Sequence, residues 1–210
     1  MHKGPPPERV TIEGRYATIT PLSAGHTGAL FACTGRPEHD DLWRYLPHGP
    51  YPDLAAYASH IAELERSADP MYFAILRDGQ AVGRCALMRI VPEHRVIEVG
   101  GILYSPQLQR TAAATEAMYL LAKYVFETLG YRRYEWKCHS LNEPSRRAAL
   151  RLGFTFEGVF RQHMIFKGAN RDTAWFSMLD SEWPARKAAF ERWLAPSNFD
   201  ESGRQKETLR

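Results

Sequence analysis

The sequence has little cysteine: only Cys33, Cys85 and Cys138 occur among its 210 residues. They are odd in number, widely spaced and form no C-x-x-C pair, so neither a disulfide framework nor a thiolate zinc site is predicted. The eight histidines show no H-E-x-x-H spacing, and the chain lacks a G-x-S-x-G elbow. We therefore expect reduced thiols in a cytoplasmic protein, without a bound metal ion and without a serine-hydrolase site.

Long apolar runs and strong charge are also missing. No run is long enough to span a bilayer, and the polar, proline-rich start has no apolar segment of a secretory signal. The net charge is only +3 and no Lys/Arg cluster forms a patch, so neither nucleic acid nor a membrane is an expected partner. A hydrophobic content of 44% is instead typical of a folded globular domain.

The pattern of helix, strand and breaker signals predicts one domain with a flexible segment at each end. We expect a flexible N-terminal arm at residues 1–9, a single domain at 10–195 and a flexible C-terminal tail at 196–210. Within the domain, the order of elements is β, α, α, βββ, α, β, α, ββ and a last helix. Ser23 and Asp53 are the expected N-caps of the first two helices.

One stretch combines a strand with the start of a helix. Residues Val96 to Tyr104 are mostly β-branched or apolar, and Ser105-Pro106 ends the run. A helix is predicted to begin after Thr111 and to end near Gly130. The unpaired amides at such a helix start form an anion site, although an ordinary strand–helix connection explains the pattern equally well. The next strand follows a crossover helix, so it should lie parallel to the first.

The segment from Arg36 to Pro52 has no period and is rich in proline, glycine, histidine and aromatic residues. Because loops often carry binding residues, Trp43 and Tyr45 are candidates for a substrate-binding wall. A second interpretation is that Trp43 simply covers the core, since an indole buries a large apolar area wherever it lies.

A set of motifs, spread from Gly14 to Trp183, resembles one known family. The motifs are Ile97-Glu98-Val99-Gly100, the run from Gln109 to Ala117, Asn142-x-x-Ser145, Arg151-Leu-Gly-Phe154-x-x-Glu157-Gly158, Arg171-Asp172 and Glu182-Trp183. Together with the element order they resemble the GCN5-related N-acetyltransferase (GNAT) family, in the branch of the RimJ/RimL-type ribosomal-protein N-terminal acetyltransferases. The resemblance implies an α+β (α/β) fold. Its central mixed, mostly antiparallel twisted sheet would have about seven strands flanked by helices, with one parallel pair splayed at the acyl-CoA site.

The resemblance also implies a function. A member would move the acetyl group of acetyl-CoA to a primary amine, on a protein N-terminus or a small molecule, by direct attack in a ternary complex. A non-catalytic acyl-CoA-binding or regulatory module is the alternative, and a homodimer is plausible. The residues expected to hold the cofactor are Ile102, Leu103, Tyr104, Gln109, Arg110, Thr111, Ala112, Ala113, Ala114, Thr115, Asn142 and Ser145.

Two departures from the family pattern concern binding and catalysis. Ala112 stands where the family usually has glycine, so the loop must avoid left-handed geometry there or be strained. The helix after Asn142 lacks the tyrosine that many members use as general acid. Ser145 is the expected substitute near the sulfur of CoA, although a first-turn hydroxyl bonded to the backbone would look the same.

Glu98 is the expected general base. It lies among apolar residues beside Gly100-Gly101, where burial would raise the pKa of its carboxyl group. The alternatives are a cross-strand ion pair and an exposed polar residue of an alternating strand. His139, at the end of the next strand, is a rival base because its pKa lies near neutrality. The predicted substrate-binding set is Trp43, Tyr45, Glu98 and His139.

Overall fold

An open sheet forms the centre of the protein in a computed structural model that describes residues 3–209. Its strands are β1 (Ile12–Glu13), β2 (Thr18–Pro21), β3 (Met71–Arg77), β4 (Gln80–Val91), β5 (Val96–Tyr104), β6 (Arg133–His139), β7 (Thr155–Phe166) and β8 (Ala169–Leu179). The eight strands have the order β1-β2-β3-β4-β5-β6-β8-β7, and every pair is antiparallel except β5 and β6. The predicted mixed sheet with one parallel pair is confirmed, with the two-residue β1 as an additional strand.

The helices flank this sheet, and two of them begin directly after Asp53 and Thr111, as the sequence predicts. They are α1 (Thr27–Leu30), α2 (Leu54–Arg66), α3 (Ala112–Lys123), α4 (Glu143–Arg151) and α5 (Trp183–Leu194). Asp53 caps α2, because its Oδ1 accepts a hydrogen bond of 2.8 Å from the amide of Ala56. A π-helical turn continues α3 to Thr128, and Gly130 follows with a φ of +64°. In the part of the chain that the structure describes, none of the helices is long and apolar enough to cross a membrane.

The first predicted helix, whose expected N-cap is Ser23, is broken into three short pieces. A 3₁₀ turn at Ala24–His26 leads into the four-residue α1, and a π-helical turn follows at Phe31–Gly35. Gly25 and Gly28 weaken the α-helix because glycine loses the most backbone entropy on folding. Thr34 Oγ1 donates to the carbonyl of Leu30 at 2.7 Å, which is a local contact that competes with regular helix geometry.

Two hydrophobic cores lie on opposite faces of the sheet. The first core packs α3, α4 and α5 against one face, and the second core packs α1, α2 and residues 36–52 against the other. Phe73 belongs to the first core and its neighbours Tyr72 and Ala74 belong to the second, as the alternation of side chains along a strand requires.

Trp43 belongs to the second core and does not line an exposed substrate-binding surface. Its side chain is fully buried, and its Nε1 donates to the carbonyl of Thr34 at 2.7 Å. The rings of Tyr51 and Tyr57 meet the indole edge to face, with centroids 5.3 and 5.9 Å away. The substrate-wall prediction for Trp43 is therefore corrected, because this aromatic cluster excludes the indole from solvent.

Both chain ends pack on the domain, which differs from the predicted flexible arm and tail. At the N-terminus, the amide of Glu8 donates to Tyr124 Oη at 2.8 Å. At the C-terminus, Trp193 Nε1 donates to Gln205 Oε1 at 2.9 Å, and the amide of Glu207 donates to Asn198 Oδ1 at 2.8 Å. The partners of these polar segments are far away in sequence, so local composition does not reveal them. Residues 1, 2 and 210 lie outside the described range.

Replacing Trp43 by alanine tests its place in the core. The Trp43→Ala variant should lose about 3–5 kcal/mol of unfolding free energy, because a large buried ring leaves a cavity. Leu141→Ala is the control, since the Leu141 side chain is 72% exposed and its loss should change stability by less than about 0.5 kcal/mol. Urea unfolding, monitored by the backbone circular dichroism signal, measures the unfolding free energy of both variants. Equal losses in the two variants would contradict the assignment of Trp43 to the core.

Candidate active site

The parallel strands β5 and β6 separate half-way along their length. Their register runs from Val96 opposite Arg133 to Val99 opposite Trp136 and stops there. Beyond this point β5 continues to Tyr104, while β6 continues to His139 in contact with β8. A gap therefore opens between the carboxyl ends of the two strands, as the family resemblance implies.

A β-bulge shapes the β5 side of the gap. Ala86 lies opposite Gly100 and Arg84 opposite Leu103, so β5 has one residue more than β4 between these pairs. Gly101 takes a φ of +57°, and a Cβ built there would lie 2.9 Å from Cε1 of Tyr72. The Gly100-Gly101 pair is thus required by backbone geometry and by close approach of a neighbouring ring.

The loop before α3 is fixed by side-chain contacts at both ends. Gln109 Nε2 donates to the carbonyl of Tyr104 at 3.1 Å. Thr111 is the N-cap of α3, because its Oγ1 accepts from the amide of Ala114 at 3.2 Å. The left-handed residue of the loop is Arg110, with a φ of +60°, and Ala112 is the first residue of the helix. An alanine therefore fits at position 112, because the left-handed conformation of this loop is taken by residue 110 and not by residue 112.

The other predicted cofactor residues of α3 differ in what their side chains contact. The methyl groups of Ala113 and Ala114 belong to the first core, so only their backbone is available to a ligand. The Thr115 hydroxyl is buried and accepts from a terminal nitrogen of Arg151 at 3.0 Å. This hydroxyl helps to join α3 to α4.

The Glu98 carboxylate lies between two cations from neighbouring strands. Its Oε2 is 3.1 Å from Arg89 Nε on β4 and 3.0 Å from Lys137 Nζ on β6. The side chains of Glu98 and Lys137 are each only 5% exposed. Burial raises the pKa of Glu98, and the ammonium of Lys137, followed by Arg89, opposes the rise. The cross-strand ion pair, which the sequence offered as an alternative to a general base, is present together with the burial that a raised pKa requires.

Lys137 connects Glu98 to a second carboxylate. Its Nζ is also 2.7 Å from Oε2 of Glu135 and lies 3.9 Å from the ring centroid of Trp175. Burial alone would raise the pKa of Glu135, but the hydrogen bonds from Lys137 and Arg133 lower it. Lys137 and Trp175 are functional candidates that sequence reasoning missed, because the pairing of distant strands brings them to Glu98.

The same polar network continues to the edge strand β7. Arg133 Nε donates to Glu135 Oε1 at 2.7 Å, and its NH1 donates to Glu157 Oε1 at 2.8 Å. Ser177 Oγ also donates to Glu157 Oε1, at 2.6 Å. These contacts, led by that of Arg133, lower the pKa of Glu157 to about 2.

Ser145 lies on the face of the sheet opposite to Glu98. Its Oγ accepts a hydrogen bond of 3.0 Å from Trp136 Nε1, whereas Glu98 contacts Lys137. Trp136 and Lys137 are consecutive residues of β6, so their side chains point to opposite faces. Asn142 caps α4 by accepting from the amide of Ser145 at 3.2 Å. Trp136 donates to the Ser145 oxygen, so the serine hydroxyl donates its own proton to a different acceptor.

His139 and Tyr45 meet at the end of β6, on the Glu98 face. Their ring centroids are 5.5 Å apart, and Tyr45 Oη donates to the carbonyl of Leu141 at 3.2 Å. His139 Nδ1 accepts from the amide of Leu141 at 3.1 Å, so the neutral ring carries its proton on Nε2 and offers no free acceptor nitrogen. Burial, and then Arg171, lower the pKa of His139. This geometry suits a wall of the acceptor site better than a general base.

The gap fits the acyl-CoA that the family resemblance implies. It combines backbone of β5 released from the β6 ladder, the glycine bulge, and the positive end of α3, where Thr111 caps only one of the first-turn amides. Across residues 3–209, no group of three or more His, Cys, Asp or Glu side chains is placed to hold a metal ion.

Comparison with known proteins identifies the family. A family model described as an acetyltransferase (GNAT) domain matches residues 17–155, and this chain belongs to that family. A GCN5-related N-acetyltransferase from Brucella melitensis, known from its crystal structure, is 51% identical, with a TM-score of 0.96 over 99% of this chain and 95% of that chain.

Two further similarities concern the branch within the family. The putative ribosomal N-acetyltransferase YdaF of Bacillus subtilis is 29% identical over 113 residues, which are 54% of this chain and 61% of that protein. RimJ of Mycobacterium smegmatis, solved in complex with CoA-disulfide, is 21% identical and shares the fold, with a TM-score of 0.71 over 84% of this chain and 90% of that chain. The chain spans 56% and 61% of the lengths of the first two curated relatives that it matches.

The pKa of Glu157 generates a prediction on stability. Its folded-state value of about 2 lies below the usual carboxyl value, so the Arg133 pair stabilises the fold above about pH 4.3 and this contribution is lost as the pH falls toward 2. The Glu157→Gln variant should be less stable than the wild type by about 1 kcal/mol at pH 7, a modest value because the pair is partly exposed. Urea unfolding from pH 7 to pH 3 should show this difference shrinking; a constant difference would contradict the prediction.

Proposed function

We propose that this protein is an N-acetyltransferase that moves the acetyl group of acetyl-CoA to a primary amine by direct attack in a ternary complex. The observation that carries the proposal is the gap between β5 and β6, with Glu98 on one face and Ser145 on the other. Acetyl-CoA, as the second substrate, supplies an acetyl group activated as a thioester. A carboxylate and a hydroxyl on opposite sides of that gap are suitably placed to accept a proton from the amine and to donate one to the sulfur.

The cofactor would be held mainly by backbone atoms. Backbone atoms of residues 102–104 are expected to bind the pantetheine arm and the thioester carbonyl, because this part of β5 is released from the β6 ladder. The start of α3 would take the pyrophosphate, with Arg110 and Thr111 beside it. Asn142 Oδ1 already accepts from the Ser145 amide, so its side-chain NH₂ is the group left for pantetheine.

Glu98 would act as general base toward the amine. The attacking nitrogen must lose a proton as the N–C bond forms and the C–S bond breaks, and the carboxylate takes that proton. When Glu98 becomes neutral, Lys137 keeps Glu135 as a counter-ion at 2.7 Å, so proton uptake does not leave the buried ammonium unpaired. The ion pair and the general base are thus compatible functions of one side chain.

Ser145 would act on the leaving group. A thiolate leaves fairly readily, so one hydroxyl proton donated to the sulfur assists the step without being essential, and the serine is reprotonated from solvent. The hydrogen bond from Trp136 Nε1 holds the Ser145 oxygen as an acceptor and directs its proton away from the indole.

The acceptor is a primary amine, and a protein N-terminus is the first candidate. A relative bears the name of a putative ribosomal N-acetyltransferase, which favours a peptide acceptor here as well. At pH 7 about a tenth of an α-amine is neutral, against less than about a thousandth of a lysine amine, so the α-amine needs less help from Glu98. Small-molecule amines are the alternative acceptors, and Tyr45 and His139 would line their site.

A non-catalytic acyl-CoA-binding module is the second candidate function. The alanine at position 112 and the missing tyrosine of α4 favour it. Release of free thiol from acetyl-CoA in the presence of a panel of amines and N-terminal peptides distinguishes the two. Binding of CoA without turnover on any member of the panel would favour the module.

Replacing Glu98 by glutamine tests the general base. The Glu98→Gln variant should bind CoA with an unchanged Kd while kcat/KM falls about 100- to 10,000-fold, the usual contribution of a positioned base. Glu93→Gln is the matched control, because Glu93 forms only an exposed ion pair with Lys3 and should leave turnover unchanged. Full activity in the Glu98 variant would refute the assignment.

Removing the Lys137 ammonium should shift the pH dependence of the reaction. Lys137 opposes the burial-driven rise in the pKa of Glu98, so Lys137→Met raises this pKa further and moves the acid limb of kcat/KM to higher pH. Lys137→Arg keeps the charge and should stay close to the wild type. Lys187→Met is the control for loss of a less buried lysine. An unchanged acid limb in Lys137→Met would show that a group other than Glu98 titrates in this limb.

A further inference from the structure

Arg84 of β4 carries a buried guanidinium group, and the acetyl transfer proposed above assigns no role to it. It is 2% exposed and lies in the second core between aromatic rings, with its Cζ 5.6 Å from the ring centroid of Trp43 and 5.2 Å from that of Tyr72. None of the ion pairs found among residues 3–209 includes Arg84. Burying a charge without an opposite charge destabilises a fold, so its position calls for a physical reason.

The hydrogen bond that Arg84 does form points to that reason. Its NH1 donates to the carbonyl oxygen of Gly101 at 3.0 Å. Gly101 is the left-handed residue of the bulge at the gap. A peptide group is planar and trans, so the carbonyl of Gly101 and the amide of Ile102 point in opposite directions. Arg84 therefore orients the Ile102 N–H away from the second core.

The guanidinium also polarises this peptide group. A carbonyl that accepts a hydrogen bond from a cation makes the N–H at the other end of the same peptide a stronger donor. The neighbouring groups do not neutralise the charge: burial, followed by Arg84 itself, lowers the pKa of His60 to about 3, and Tyr57 is kept protonated by burial. The charge of Arg84 thus acts on the Gly101 carbonyl without a competing anion beside it.

We propose that Arg84 is a positioning residue, which orients and polarises the Gly101–Ile102 peptide so that the Ile102 amide donates to the thioester carbonyl oxygen as negative charge develops on it. The proposal rests on the proposed acetyl transfer. Arg84 approaches the bulge from the same face as Glu98, because Arg84 and Met88 are four positions apart in β4 and Met88 pairs with Glu98. The polarising group and the general base would therefore act from one side of the gap.

The test uses the full chain and two variants of Arg84. In Arg84→Met, kcat should fall at least tenfold while KM for acetyl-CoA changes less than about threefold, because the effect is stronger on the transition state than on binding. Arg84→Lys retains a cation and should recover part of the lost kcat. Leu30→Ala is the control for destabilisation, since Leu30 is a fully buried residue of the second core without contact to Gly101; it should lower stability and leave kcat unchanged.

A spectroscopic measurement separates positioning from stability. Infrared spectra of acetyl-CoA labelled with ¹³C at the thioester carbonyl, bound to the wild type without an acceptor, should show a lower carbonyl stretching frequency than the free compound. This frequency shift should shrink in Arg84→Met and be intermediate in Arg84→Lys. If Arg84→Met does not fold, Arg84→Lys is the variant that tests the proposal. A wild-type frequency and a wild-type kcat in a folded Arg84 variant would overturn the proposal.

The same experiment distinguishes failure of the inference from failure of the proposed function. If the wild type turns over no amine but binds acetyl-CoA with the expected infrared shift, acetyl transfer fails and the positioning of the peptide by Arg84 stands. If Glu98→Gln is inactive and the Arg84 variants match the wild type in kcat and in frequency, the transfer reaction stands and the inference on Arg84 fails.

Discussion

The site depends on the point at which β5 and β6 stop pairing. Val99 opposite Trp136 is the last pair of the parallel ladder, and the residues of the proposed reaction lie on the elements that border the opening beyond it. The glycine bulge of β5 lies directly past that pair, in the part of the strand that no longer pairs with β6. Since consecutive side chains of β6 alternate between faces, Trp136 reaches Ser145 and Lys137 reaches Glu98, so the proposed acid and the proposed base lie on opposite faces of the sheet.

Charge around the opening is distributed over several strands rather than concentrated in one pair. Glu98, Lys137 and Glu135 form a buried chain that Arg133 and Glu157 extend toward the sheet edge. This arrangement lets one carboxylate change its protonation state while the lysine keeps a partner, which an isolated buried pair does not permit. Arg84 is the contrasting case, because its charge meets a carbonyl and two aromatic faces instead of a carboxylate.

Much of the site could be predicted because its signals are local. The cap at Thr111, the cap at Asn142 and the glycine pair at 100–101 are each determined by a few adjacent residues, and the structure contains both caps and a left-handed Gly101. For Trp43 the sequence left a substrate wall and a core position open, because an aromatic residue in an irregular segment gives no local indication of burial, and the structure selects the core. The broken first helix and the packed chain ends were missed for a related reason: propensity and composition do not include partners that are distant in sequence.

By itself the sequence determined the order of elements, the family, the capped helix start and the identity of the carboxylate beside the bulge. Tertiary structure alone decided what surrounds these groups. Lys137 reaches Glu98 because β6 lies beside β5 in parallel register, and Arg84 reaches Gly101 through a bulge in the β4–β5 register. Side-chain environments of this kind arise from contacts between segments far apart in the chain, whereas capping, turns and strand endings follow from hydrogen bonds and steric limits within a few residues.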